Sequence, residues 1–162
     1  MATRQPRQPR SESSRTPRGI RNNNPLNIRH NPANKWQGMS AAQTDKNFVQ
    51  FDDMVYGIRA AFIIIHNWLS QARHLGVPVY VRDIISRWAP ASDGNNVNAY
   101  VSQVLQEALL GERQPMRWGA RGAMTRLLFA MAIVETGRRL EFSLFEHAYD
   151  MAKERFPTDP MS

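Results

Sequence analysis

The sequence predicts a mainly α fold: a helical domain with a long ordered loop at its N-terminal side. Three observations predict it. Several stretches repeat apolar residues at steps of three and four, which places them on one face of a helix. Each of these stretches stops at a glycine or a proline. The alternation that a sheet needs occurs once, loosely, over residues 45–51.

Taken in order, residues 1–17 are rich in Arg, Pro, Ser and Gln and hold no large apolar residue after Met1. Such a segment buries too little surface to offset the entropy of ordering, so 1–17 reads as a disordered basic tail. The helical domain is expected to span 18–156, with 157–162 as a second tail. It opens on RGIRNNNPLNIRHNPANKW, residues 18–36. Asparagine amides bond their own backbone and favour turns, and proline biases the preceding residue away from helix, so neither helix nor central strand is expected here. Ile20, Leu26, Ile28 and Trp36 nevertheless call for burial. A loop with its own apolar anchors is ordered, and ordered loops often carry function.

Phe48 and Phe51 anchor a short strand or extended segment, after which Asp52 or Asp53 is placed to cap a helix. That helix, 54–75, carries Val55, Ile58, Phe62, Ile65 and Leu69 on one face; Gly57 within it marks close approach of another backbone. A short second helix is expected over 78–88 and a third over 97–110, opened by Asn95 or Asn96 and closed by Gly111. The fourth, 123–135, is apolar almost all round, which implies burial in the core. Ser143 and Glu146 have the spacing of a capping box for a last helix to about 156.

The totals exclude several function classes. With no cysteine among 162 residues there are no disulfides, thiolate nucleophiles or cysteine metal sites. The four histidines lack zinc-ligand spacing, and no P-loop, GxGxxG or GxSxG is present, so neither metal nor cofactor is expected. The longest apolar run is too short to span a bilayer, and the N-terminus lacks the apolar core of a signal peptide. The net charge is +7, of which residues 1–21 contribute +5, with six arginines against Glu12. This segment is either an electrostatic arm for nucleic acid or another anionic polymer, or a solubilising tail.

One residue does not fit its surroundings. Glu135 continues the face of Met124, Leu128 and Met131 on the most apolar helix. Lost hydration raises a carboxyl's pKa there, and the C-terminal end of a helix disfavours negative charge as well. A protonated carboxyl at the edge of an apolar core suits a general acid for glycosidic cleavage. The competing reading is an ion pair with Arg138 or Arg139 at i+3 and i+4. Among the acids that could act as its partner, Asp45 ranks first, between the Asn-rich loop and the two phenylalanines. The amides of Asn23, Asn24 and Asn27 suit the hydroxyls and acetamido groups of a sugar, unless the loop is only a turn cluster. Trp36, Trp88, Tyr100 and Trp118 are the aromatics nearest to loops, available for stacking on sugar rings or as core.

RGIRNNNPLNIR, the Trp36 and Gly38 that follow, the D-x-x-F-x-x-F of Asp45, Phe48 and Phe51, GIRA at 57–60, IISRWAP at 84–90 and the Asn98/Tyr100 pair together resemble a family of phage and prophage virion proteins. Leu26 stands where many of its members have glycine. The resemblance covers residues 18–137 and implies a virion location and a lysozyme-like, wall-degrading role. Lytic enzymes of that type place a catalytic Glu at the end of a buried helix, with an NNPxN-like segment following it. Here the order is reversed, which implies a circularly permuted lysozyme-like arrangement. Two functions follow. In one, the domain cleaves the glycan strand of peptidoglycan as a lysozyme or lytic transglycosylase: Glu135 is the acid, Asp45 an auxiliary carboxylate, Asn23, Asn24 and Asn27 bind sugar, and Trp88 and Tyr100 wall the cleft. In the other, the protein is a non-catalytic virion component that binds neighbouring subunits, cell wall or nucleic acid.

Overall fold

The computed structural model describes residues 16–162, and the expected tail over 1–17 therefore lies almost entirely outside the described residues. The protein is mainly α. Its helices are α1 (Arg18–Arg21), α2 (Met54–His74), α3 (Val81–Trp88), α4 (Val97–Ala108), α5 (Arg121–Thr136) and α6 (Phe142–Glu154), with a 3₁₀ turn at Ala91–Asp93. Among the described residues the extended segments make only isolated antiparallel bridges, Arg29 with Phe48 and Met39 with Phe51. No helix among them is long and apolar enough to cross a membrane.

The longest helix, α2, packs along α6, and α5 lies against both α4 and α6. The apolar periodicity of α2 is what buries Ile58, Phe62, Ile65 and Leu69. Helix α5 buries Met124, Leu127, Leu128 and Met131 completely, as its all-round apolar character predicts. Each such side chain contributes about 1.5–3 kcal/mol by leaving water. Phe62, Trp118 and Tyr149 meet edge-on or tilted at the centre of the core. Trp118 is 1% exposed, so it is core and not a sugar platform.

Gly57 has the role that its position in the sequence predicts. A Cβ on it would stand 2.1 Å from the carbonyl oxygen of Asn23. Only a bare backbone lets α2 pass this close to the N-terminal loop.

Several local expectations are corrected. Residues 18–21 form one helical turn, because the carbonyl of Pro17 accepts from Ile20 and Arg21. Helix α3 starts at Val81: residues 78–80 are extended, the Met116 N–H donates to the Val79 carbonyl, and Asp83 accepts from the Tyr80 N–H. Asn96 caps α4 through Ala99 N–H as expected, but α4 ends at Leu109, at φ 55°, ahead of Gly111. Helix α6 has no side-chain cap at its start. Glu146 joins Asp150 on Arg121 instead, so a tertiary ion pair displaces the capping box. Asp53 sits at the start of α2 without a capping hydrogen bond. Residues 157–162 fold back on α2: Phe156 stacks on His66, Asp159 pairs with the same imidazole, and Met161 packs on the core.

Candidate functional site

The N-terminal loop is built by its own amides. Asn24 is 0% exposed. Its Nδ2 donates to the carbonyls of Ile28 and Val49, and its Oδ1 accepts from the Ile28 N–H. Every one of these atoms is thereby used inside the fold, which removes Asn24 from the sugar-binding set. Asn23 and Asn27 both adopt left-handed backbone, at φ 52° and 53°, a conformation that asparagine tolerates better than most residues. Asn23 donates to the Phe51 carbonyl and so ties the loop to the extended segment. Asn27 points the other way.

Asn27 Nδ2 donates to Glu135 Oε1 at 2.9 Å across 108 residues of sequence. The hydroxyl of Tyr100, on α4, donates to Glu135 Oε2 at 2.9 Å. Loop, α4 and α5 therefore converge on one carboxylate. The approach of α1 to the end of α5 needs Gly19, whose added Cβ would crowd Asn24 O, Asn27 Oδ1 and Thr136 Cγ2 at 2.9–3.3 Å. Glu135 is half-buried. Burial raises its pKa above the ordinary glutamate value, and the two donated hydrogen bonds oppose that rise. The Tyr100 hydroxyl is pushed up as well, by burial first and then by the adjacent Glu135. Arg139 pairs with Glu107. Among the described residues no ion pair forms on Glu135, so the anticipated pairing with Arg138 or Arg139 is absent.

Asp45 is placed elsewhere. Arg18 donates to both its carboxylate oxygens at 2.6 Å, and Asn22 and the N–H groups of Asn47 and Phe48 add further bonds. The guanidinium beside it holds its carboxyl far below the usual range, with burial opposing. Arg18 and Arg29 also stand over the Phe48 ring. Asp45 is thus an organiser of the loop, and among the described residues no hydrogen bond joins it to Glu135. Trp88 is half-buried; its indole N–H donates to the Leu26 carbonyl and its ring meets Trp68 edge-on. It pins the loop next to Asn27 and makes no hydrogen bond to Glu135.

Sequence reasoning missed Arg18 as the partner of Asp45 and Tyr100 as a donor to Glu135. These partners lie 27 and 35 residues apart, and no local spacing encodes such pairs. It also missed a cavity of about 660 Å³ between the end of α2, residues 76–79, residues 115–120 and the chain's last residues. None of the Asn27–Glu135–Tyr100 cluster lines that cavity.

No family model matches the chain. It is 30% identical over 141 residues to protein P5 of Pseudoalteromonas phage PM2, a match that covers 86% of this chain and 79% of the relative. The chain therefore belongs to the family of this phage protein.

Proposed function

We propose that the protein is a particle-associated structural component of a phage or prophage. Residues 18–162 serve in this reading as a helical module, and the arginine-rich N-terminal segment contacts a neighbouring subunit, nucleic acid or another anionic polymer. The observation that carries the reading is the kinship with a phage protein along most of both chains. The use of the loop's polar groups agrees with it. Asn24 and Asp45 spend their side chains within the fold, and both Glu135 oxygens accept internal hydrogen bonds. A half-buried carboxylate satisfied from two elements works as a cross-tie between loop, α4 and α5. The test is gradient-purified particles from a producing strain, washed in high salt and analysed by quantitative mass spectrometry. Fixed stoichiometry with the capsid protein is expected. Recovery only in the soluble lysate refutes the reading.

A second reading is favoured by one observation, the half-buried Glu135 with its raised pKa and, among the described residues, no ion pair. In this reading the domain is lysozyme-like and cleaves peptidoglycan. The protonated Glu135 carboxyl passes its proton to the leaving glycosidic oxygen, and Asn27 and Tyr100 then steady the carboxylate that remains. Asn23 and Trp88 hold the loop that faces the sugar. Closure by a hydroxyl of the sugar itself, as in a lytic transglycosylase, returns that hydroxyl's proton to the Glu135 carboxylate and needs no second carboxylate, which agrees with the engagement of Asp45 by Arg18. Turbidity clearing of purified peptidoglycan, wild type against Glu135→Gln, separates the two readings. An active enzyme loses at least ~100-fold in the variant. Equal clearing by both proteins, or none by either, sinks the catalytic reading.

A further inference from the structure

The cavity of about 660 Å³ lies apart from the Glu135 cluster, and neither reading above uses it. Its size is that of sites that take small organic ligands. Val77, Val79 and Met161 supply an apolar wall, backed by the buried Leu69, Met116 and Trp118. Polar ties brace the wall at Val79, Trp118 and Met161. Met116 N–H donates to Val79 O at 2.7 Å, and Tyr149 donates to Trp118 O at 2.6 Å. Asp159 is held by His66 and in turn accepts from the Met161 N–H at 2.7 Å. A space held open by such ties is preformed, and an apolar molecule entering it loses little energy to rearrangement.

The polar groups of the lining have one sign. Arg73 and Arg117 are exposed, and no carboxylate belongs to the lining. Asp159, the acid that acts on Arg73, is already engaged by His66. Arg117 makes no ion pair among the described residues. Val77, which lines the cavity, is 51% exposed, and its neighbour Leu75 is 79% exposed, two large apolar side chains facing water on the α2–α3 connection. Apolar side chains left in water next to a preformed apolar cavity extend its surface outward.

We propose that this cavity binds a single-chain anionic amphiphile, a long-chain carboxylate or phosphate, with its chain against Val77, Val79 and Met161 and its head group on Arg73 and Arg117. Apolar burial supplies the affinity and the two guanidinia select the anionic head. The same head-group chemistry is available from a bilayer surface; a concave site of this volume takes one chain, and the vesicle arm below separates the two sources.

The experiment is calorimetric titration of the full chain with laurate below its micelle concentration. Dodecanol and phosphatidylglycerol vesicles form parallel arms. Saturable binding at one site is expected. It should weaken at least tenfold for dodecanol and for the Arg73→Gln/Arg117→Gln double variant, and be lost in Val77→Trp, where an exposed position lining the cavity is filled. Thermal melts by circular dichroism verify that both variants fold. Absence of saturable laurate binding overturns the proposal. So does equal affinity for dodecanol, undiminished binding by a folded variant, or binding to the vesicles alone.

Discussion

Replacing Asn24 by alanine removes three hydrogen bonds and leaves two buried backbone groups without a partner. Among the described residues the Ile28 N–H donates only to Asn24 Oδ1, and the Val49 carbonyl accepts only from Asn24 Nδ2. The Ile28 carbonyl keeps its bond from the Val49 N–H. The residues concerned are nearly inaccessible: Asn24 0%, Val49 1% and Ile28 6% exposed. A buried group left unsatisfied costs about 1–3 kcal/mol, so Asn24→Ala should cost about 2–6 kcal/mol. This is a large share of the ~5–15 kcal/mol that holds an ordinary domain together. Asn31→Ala is the control. Asn31 is exposed in the same segment, accepts from the Ala33 N–H at the surface, and should cost less than about 1 kcal/mol. Urea unfolding followed by tryptophan fluorescence measures both. With a slope of about 2 kcal/mol/M, the Asn24→Ala midpoint should fall by about 1–3 M at unchanged slope. If Asn24→Ala costs no more than Asn31→Ala, the account of the loop as an amide-built core element is refuted.

Gly57→Ala forces a methyl to within 2.1 Å of the Asn23 carbonyl oxygen, so it should cost about 3 kcal/mol or more, or abolish soluble expression; a thermal melt within a few degrees of wild type refutes the close approach. Glu135 has a raised pKa in the folded chain, so the folded state holds its proton at pH values where the unfolded chain has lost it, and stability falls as pH rises above the ordinary value of 4.5. Glu135→Gln should remove this part of the slope, which melts of both proteins between pH 4 and 7 read directly. Asp45 has the opposite sign. Its folded pKa is depressed by Arg18, so its stabilisation is present above the ordinary value of 3.8 and is lost as pH falls through the acid range. Asp45→Asn should therefore be less stable than wild type at pH 6 and lose less on acidification; parallel pH profiles contradict the pair.

The helices were legible because burial against one core imposes a period of three to four on the chain. Val55 to Leu69 and Met124 to Met131 carry that period in the residues themselves. Gly57 was legible because glycine inside a helix is unfavourable unless something needs the space. Glu135 stood out for the complementary reason, as a carboxylate on an apolar face. The helix starts were less legible. The Ser143/Glu146 spacing suggests a capping box, yet Glu146 bonds Arg121, since a partner brought by tertiary packing outcompetes a weak local one.

What the sequence by itself determined is the mainly α class, most of the helix spans, and the anomaly of Glu135, because each is written in short-range periodicity or composition. The tertiary structure alone decided what the asparagines do. Three of the four amides in NNNPLN, alike in the sequence, take three different fates: Asn23 on the Phe51 carbonyl, Asn24 enclosed among Ile28 and Val49, and Asn27 on Glu135. It alone paired Arg18 with Asp45 and opened the cavity between Val79 and Trp118. The physical reason is that a side chain's partner is set by which segments the core brings together, and contacts across tens of residues leave no spacing to read.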